Sequence, residues 1–488
     1  MKRLKDLLSL DEVLDEYKVN WDEEVFGISD HSQSIKEGYI FVARRGTRLN
    51  GKDFIPDALK RGARIIIKED SIDPSLDVPQ IRLKDFKGTL GKLLSRFYDH
   101  PESSVTLVGI TGTNGKTSST FFVRALSSAL GLKSGYIGSI YYDVGEVLPS
   151  RETTPSSFVL FPLLKKAKDS GIKLLALEVS SHALDQERIF GLTFSACGFT
   201  NLSRDHLDYH GDMESYFQAK KKLFTRYLKE DGASVISFET EYGRRLFEEL
   251  RASRPSLRLV SVNDDFFRVA FIQRTPFLEL SIIVAGKTYN VKTRLVGDFQ
   301  AKNLGVALGI LYSLGFSVDD LVKALPTLTN PPGRLELVGE KGGSYVFVDY
   351  AHTPDALKSA LESLVPLKKG RLIVLFGCGG NRDAGKRPLM GRVAEELSDL
   401  VILTSDNPRF EDPESIIEDI KKGLTGIKPC YVWVDREVAI KSALEMLRKG
   451  DVLLIAGKGH EDYQEVQGER YPFSDREVVK RLLSEIKD

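Results

Sequence analysis

The chain has 488 residues, more than a single hydrophobic core organises, so about three domains are expected. Hydrophobic residues make up 42% and charged residues 28%, the mixture of a globular protein and not of a disordered or fibrous one. Lys plus Arg and Asp plus Glu both number 69, so no net charge draws the chain to nucleic acid or to an anionic membrane, and any anion has to be held at a local site.

The N-terminal stretch MKRLKDLLSLDEVLDEY alternates charged and apolar residues without an uninterrupted apolar run. It predicts an amphipathic helix, with neither secretion nor membrane insertion. GYIFVAR (39–45), DFIPDALKRG (53–62) and ARIIIKED (63–70) then alternate short apolar runs with helical stretches, which makes residues 1–102 a small α/β domain. The polar turn YDHPESS (98–104) closes it. From 103 to 330 strand and helix patterns alternate, with buried-strand runs LLALEVS (174–180) and ACGFTNL (196–202), as in a doubly wound parallel sheet. Pro331-Pro332 breaks the pattern, because proline neither continues a helix nor pairs in a central strand. Residues 331–488 read as a second, Rossmann-like α/β domain, with YVFVDYA, RLIVLFG, LVILTS, YVWVD and DVLLIAG as strands and PDALKSALESL and PESIIEDIKKGL as helices. Cys197, Cys378 and Cys430 lack CxxC spacing and are odd in number, which speaks against disulfides or a zinc site and fits a reducing cytoplasm.

The strongest chemical signal follows VTLVGIT. Gly112, Thr113, Asn114, Gly115, Lys116, Thr117 and Ser118 lead from that strand into the helical stretch FFVRALSSAL. Glycines let successive N–H groups face one centre, the helix N-terminus adds partial positive charge, and Lys116 reaches terminal phosphates while the Thr117 hydroxyl suits Mg²⁺. This is GxxGKT and not the longer common pattern, since Ile110 stands where that pattern has glycine. It predicts ATP binding; the alternative is an ordinary glycine turn.

Seven histidines occur, and His182, His206, His210, His352 and His460 fall in polar or glycine-flanked clusters. Taken alone, His182 reads as a core or turn histidine. Glu178, at the end of the strand LLALEVS, is placed like a carboxylate that meets Mg²⁺ beside a phosphate loop. TNLSRDHLDYHGD (200–212) carries three carboxylates and two histidines beyond another strand end, where an open α/β crevice collects ligands; a solvated acidic loop is the alternative. Lys220, within the run Lys220 to Lys222, reads by itself as solvated basic surface.

GTNGKT, LEVSSHALDQ, TNLSRDHLDYHGD, VDYAHTPDAL, FGCGGNRDAGKRPLM, SDNPRFEDP and AGKGHEDYQ, in this order, resemble the muramyl (Mur) ligases, from about residue 25 to about residue 470. The likeness is to the branch that adds the third peptide residue. It implies three domains, for a UDP-sugar, for ATP and for an amino acid, and a monomer working on UDP-MurNAc-L-Ala-D-Glu and a diamino acid. It further implies an acyl-phosphate route, because phosphate leaves where oxide does not.

By that resemblance Lys116 neutralises the transferring phosphoryl group, Thr117 and Glu178 hold one Mg²⁺, and His206 holds a second. Lys220 matches a lysine that takes up CO₂ as a carbamate and serves the second metal. Asn303 reads adenine, although Gln300 stands where asparagine is usual; Arg334 meets ATP phosphates, and Asp349 lies near the ribose. His352 and Lys458 match less closely. Ser32, Thr153, Thr154, Ser180, Gln186 and Arg188 match contacts to the UDP-sugar peptide, with His31 and Gln33 departing from the family's Asp and Arg around Ser32.

Asp406, Asn407, Pro408 and Arg409 form the DNPR motif of members that add meso-diaminopimelate, and Arg382, Gly457 and Glu461 match the rest of that pocket. A guanidinium fork pairs with the distal carboxylate of diaminopimelate; lysine lacks that group and follows closely as the second choice. Two rivals remain at this level: a folylpolyglutamate synthetase on the same scaffold, and a non-enzymatic P-loop switch.

Overall fold

The structure, a computed structural model, describes residues 2–46, 49–274 and 276–485. Its chain divides into two compact units. One comprises Met1–Lys116, Gly131–Ile236 and Thr240–Val260; the other comprises Thr117–Leu130, Ser237–Glu239 and Ser261–Asp488.

In the first unit a five-stranded sheet runs in the order Val13–Tyr17, Gln80–Leu83, Ala63–Lys68, Tyr39–Ala43, Gly27–Ser29. The N-terminus departs from the expected single helix. Helix covers only Leu4–Leu7, a 3₁₀ turn follows at Leu10–Glu12, and Val13–Tyr17 is an edge strand. Ser9 and Glu12 form a capping box that restarts the chain, and the β-branched Val13 then pairs with Leu83. Side chain to backbone bonding thus interrupts a helical period before it completes three turns.

An eight-stranded sheet holds Thr106–Thr111 at its centre, flanked in parallel by Leu174–Glu178 and Phe194–Phe199. Two short antiparallel strands, Tyr141–Asp143 and Val147–Pro149, extend one edge, so the sheet is mixed and not wholly parallel. The three central strands are buried on both faces, as their unbroken apolar runs require.

In the second unit a six-stranded sheet runs Glu336–Lys341, Ser344–Asp349, Val452–Ala456, Leu372–Phe376, Leu400–Leu403, Cys430–Val432, with its first strand antiparallel. Alternate residues serve opposite faces: Leu372, Val374 and Phe376 join the core with helices Pro354–Leu364 and Lys386–Leu397, while Ile373 and Leu375 join that with Arg436–Glu445 and Asp475–Glu485. A three-stranded antiparallel sheet, Phe267–Arg274, Leu278–Val284 and Lys287–Lys292, breaks the expected strand-helix alternation. Its middle strand alternates buried and half-buried residues, and the Ala285-Gly286 turn supports the hairpin.

Arg436 and Asp475 form a fully buried ion pair with Nε–Oδ1 of 2.7 Å. The same guanidinium donates to the carbonyls of Ser405 (3.3 Å) and Ala456 (2.9 Å), one residue before Asp406 and Gly457. It therefore props the two strand ends that carry the amino-acid motifs. Asp475→Asn is expected to leave the Arg436 charge uncompensated and to lower unfolding free energy by roughly 3–5 kcal/mol, read as a lower urea midpoint for this unit.

Candidate active site

The strand Thr106–Thr111 turns at Gly112 and enters the helix Lys116–Ala129. Gly112 has φ of 152°, and a Cβ there would sit 1.8 Å from Thr200 Oγ1. That closeness is used. Thr200 Oγ1 donates to Asn114 O (2.6 Å), the Asn114 amide donates to Asn201 Oδ1 (3.0 Å), the Thr113 amide to Asn201 O (2.9 Å), and the Ser203 amide to Thr113 Oγ1 (3.0 Å). Residues 200–203, at the end of the neighbouring strand Phe194–Phe199, thus clamp the loop. Lys116 Nζ donates to the carbonyls of Gly112 (2.9 Å) and Thr113 (2.8 Å), closing the cradle on its basic side. Thr117 is half-buried and Ser118 buried.

Lys220 overturns the reading of solvated basic surface. Successive residues of the helix Met213–Arg226 point about 100° apart, so three adjacent lysines meet three surroundings. Lys221 pairs with Glu249 (2.6 Å) and Lys222 with Asp185 (2.9 Å), but Lys220 is 1% exposed. Its Nζ donates to Gly112 O (2.8 Å) and lies 4.5 Å from the Tyr216 ring centroid. Burial, then the Lys116 charge, holds its ammonium well below the usual lysine range, against a smaller opposing effect of Asp205.

His182, His206 and His210 gather in one aromatic cluster. The His182 ring lies 4.8 Å from that of His206, 5.5 Å from that of His210 and 4.2 Å from that of Tyr209. Burial, then the neighbouring imidazoles His206 and His210, lowers the His182 pKa, and the residue read as a core or turn histidine packs within this cluster. Burial also lowers that of His210, whose Nε2 is 3.0 Å from Ser181 Oγ. His206 adopts a left-handed φ of 52° with its side chain 46% exposed and 3.4 Å from Asp205. The carboxylates of 200–212 do not converge: Asp212 caps the helix Met213–Arg226 by accepting from the Ser215 amide at 2.7 Å.

Glu178 is buried at the end of its strand and accepts hydrogen bonds from the Tyr136 hydroxyl, the Ser139 amide (2.9 Å) and the Ser139 hydroxyl (3.2 Å). Thr153 Oγ1 is 3.1 Å from Ser139 Oγ, Thr154 Oγ1 donates to Glu178 O (2.8 Å), and the Ser180 amide donates to Thr154 Oγ1 (3.0 Å). Gln186 joins Tyr209 (3.1 Å) and Arg188 (2.7 Å). Five residues expected to touch a UDP-sugar peptide therefore lie in networks around Glu178 and the histidines. Ser32 is elsewhere, buried in the five-stranded domain, where its hydroxyl is the first cause of a lowered Asp57 pKa. Among the described residues no three or more of His, Cys, Asp and Glu gather as a metal cage. Glu178, an oriented carboxylate, and His206, an accessible imidazole, are each of a ligand type that suits a Mg²⁺ keeping several waters and taking phosphate oxygens as further ligands.

The second unit holds the other expected residues. Asn303 Nδ2 donates to Gln300 Oε1 (3.0 Å), both are buried, and Gln300 Nε2 is a buried donor without a hydrogen-bond partner among the described residues. Arg334 stacks over Tyr350, 4.7 Å from ring centroid to guanidinium carbon. Asp349 accepts from the amides of Leu335 (2.6 Å) and Ala351 (2.7 Å); burial pushes its carboxyl up, against the Arg334 charge. His352 and His460 pack on Tyr350 at 4.7 and 5.1 Å.

In the amino-acid motifs the fully buried Lys458 donates to Asn407 Oδ1 (3.0 Å) and Glu461 Oε2 (3.3 Å) and lies 3.6 Å from Asp406. Asn407 Nδ2 also donates to Glu461 (2.9 Å). Burial raises the Glu461 pKa, with Lys458 opposing. A Cβ on Gly379 would lie 3.0 Å from Arg409 Nη1 and 3.8 Å from Arg382 Cγ, so the two arginines flank one bare backbone position. Pro408 is buried beside Gly380, and a Cβ on Gly457 would reach Asp406 Oδ2 at 2.5 Å.

Comparison with known proteins fits this geometry. The Mur ligase middle domain matches residues 110–311, the glutamate ligase domain 333–459, and the Mur ligase family catalytic domain 24–98. A protein of Aquifex aeolicus named UDP-N-acetylmuramoyl-L-alanyl-D-glutamate--2,6-diaminopimelate ligase is 44% identical over 468 residues, 94% of each chain. This chain belongs to the Mur ligase family. A Fusobacterium nucleatum protein of the same name is 40% identical over 96% of each chain. A solved structure described by that name superposes with a TM-score of 0.70 at 31% identity, over 96% of this chain and 97% of the other.

Within this Mur ligase, several site residues carry no motif signal of their own. Tyr136 and Ser139 orient Glu178 but lie in an unremarked strand and turn; only their bonds mark them. The clamp Thr200 to Ser203 and the platform Tyr350 sit inside TNLSRD and VDYAH, where adjacent charged residues drew the chemical reading. Gly112→Ala is expected to displace Thr200 or the loop. ADP, expected to raise the melting temperature of the unaltered chain, should then raise it no longer, with far-UV circular dichroism unchanged; a retained shift removes the need for this glycine.

Proposed function

We propose that this Mur ligase joins meso-diaminopimelate to the D-glutamate carboxylate of UDP-MurNAc-L-Ala-D-Glu, using ATP, as a step of peptidoglycan-precursor synthesis in the cytoplasm. The carrying observation is the approach of Lys116 and Lys220 to one carbonyl, Gly112 O, in the unit that also holds Glu178 and His206. In this reading residues 1–102 serve the UDP-sugar through Ser32, residues 103–330 serve ATP, and residues 331–488 serve the amino acid. A working monomer is part of this proposal.

Asn303, with the Gln300 Nε2 that has no hydrogen-bond partner among the described residues, suits adenine, which offers ring-nitrogen acceptors; Arg334 and Asp349 serve the phosphates and ribose. Thr117 and Glu178 would hold one Mg²⁺, and His206 with Lys220 as a carbamate a second, supplying positive charge that offsets repulsion between carboxylate and triphosphate. Lys220 suits carbamate formation because burial and the Lys116 charge lower its ammonium pKa, which favours the nucleophilic neutral amine. Its nitrogen lone pair bonds the carbon of CO₂, a C=O electron pair moves to oxygen, and the nitrogen proton leaves to a base. The site then gains an anion where a cation would repel metal.

Lys116 stabilises the phosphoryl group as the D-glutamate carboxylate attacks the terminal phosphorus of ATP and ADP departs. The diaminopimelate amine then attacks the acyl carbon, the bond to phosphate breaks with its electron pair going to phosphate, and the amine loses a proton as the amide forms. Thr153, Thr154, Ser180, Gln186 and Arg188 would hold the sugar peptide. Arg409 and Arg382 would take the distal carboxylate and Glu461 the distal ammonium. L-Lysine is a second reading, favoured by one observation: Glu465 already pairs with Arg409, so lysine leaves less charge unmatched.

Phosphate release tests the proposal. It should require both UDP-MurNAc-dipeptide and a diamino acid, with diaminopimelate ahead of lysine; release independent of both supports a nucleotide switch, and dependence on a folate supports the synthetase rival. Lys116→Ala is expected to abolish turnover, and activity near that of the unaltered enzyme refutes the assigned role. Lys220→Ala should lose activity and recover part of it with added short carboxylic acids; absence of either effect counts against the carbamate.

A further inference from the structure

We infer that Glu465 is a specificity-determining residue, a built-in competitor with the distal carboxylate of the diamino acid for Arg409. The inference rests on the reading of Arg409 as the distal-carboxylate residue. Arg409 has a left-handed φ of 52°, and its backbone is laced to the strand Tyr463–Val466: its amide donates to Glu465 O (3.0 Å), and the Gln467 amide donates to Arg409 O (2.7 Å). Its side chain is held on two sides, with Nε 3.3 Å from Glu465 Oε2 and Nη1 donating to Gly380 O at 2.8 Å. The paired side chains are 18% and 20% exposed, so water screens the contact only in part. Arg470 stands opposite Glu465 in the hairpin register, but its guanidinium lies over the Tyr463 ring at 4.2 Å. Arg409 is therefore the ion-pair partner of Glu465 among the described residues.

A carboxylate arriving at Arg409 meets a guanidinium whose charge is already matched and whose donors are partly used, and it meets the like charge of Glu465. Lysine brings no such carboxylate and leaves the Arg409–Glu465 pair intact. Glu465 thus narrows the gap between the two amino acids that Arg409 alone would open.

The test is steady-state kinetics of the full-length enzyme with each amino acid. Glu465→Gln keeps the shape and removes the charge. It should lower KM for meso-diaminopimelate and raise KM for L-lysine, each roughly three- to tenfold, with kcat and the KM values for ATP and UDP-MurNAc-dipeptide unchanged. Opposite shifts are the signature, since loss of folding or general loosening moves both amino acids the same way. A rise in both KM values, as direct contact of Glu465 with the distal ammonium gives, overturns the inference, and so does no change in either. Arg409→Gln separates the two levels. If it raises KM for diaminopimelate while Glu465→Gln has no effect, the competition alone is wrong; if it leaves that KM unchanged, the reading of Arg409 fails and the competition with it.

Discussion

The carbonyl oxygen of Gly112 receives hydrogen bonds from two lysines, and much of the phosphate side depends on that convergence. Lys116 comes from the loop itself and Lys220 from a helix more than a hundred residues on. Two ammonium groups sharing one acceptor repel, and the cost falls on the one that water does not reach. Lys220 is that one, so its neutral form is favoured by burial and by the Lys116 charge together. Gly112 makes the meeting possible because it carries no side chain where Thr200 closes on the loop.

The amino-acid side is built on a different device. Its motifs lie on loops after the parallel strands Leu372–Phe376, Leu400–Leu403 and Val452–Ala456, the end of an open α/β sheet where ligands bind. Loops are mobile by default, and these are fixed from below by Arg436 and from within by Lys458, both fully buried. Each buried cation is compensated, Arg436 by Asp475 and Lys458 by Asn407, Glu461 and the nearby Asp406. These contacts fix the loops through the fold's own side chains, and in the proposed function that order serves selective recognition of a diamino acid.

Much of this was legible in the residues. GTNGKT announces a phosphate loop because glycine, lysine and threonine at that spacing have few other uses after a buried strand. The resemblance carried by the later motifs is matched by family domains along most of the chain. Several illegible parts depend on which way a side chain faces, and others on which strands pair. Lys220, Lys221 and Lys222 are chemically identical neighbours, and only the helix phase sends the first inward. The N-terminal period looked helical, but the Ser9–Glu12 capping box and pairing of Val13 across to Leu83 redirected it. Glu465 carried no signal at all, since an acid in an exposed-looking hairpin is ordinary until Arg409 is found against it.

By itself the amino-acid sequence determined the strand and helix alternation around the phosphate loop and in residues 331–488, the phosphate loop itself, and the residue types available for chemistry. These are local properties, set by side-chain periodicity, backbone freedom at glycine and the functional groups present. Tertiary structure alone decided that two lysines meet at one carbonyl, that Tyr136 and Ser139 aim Glu178, and that Arg409 already has an acidic partner. Such pairings join residues far apart in the chain, and their energies arise from burial and distance, which exist only once the chain has folded.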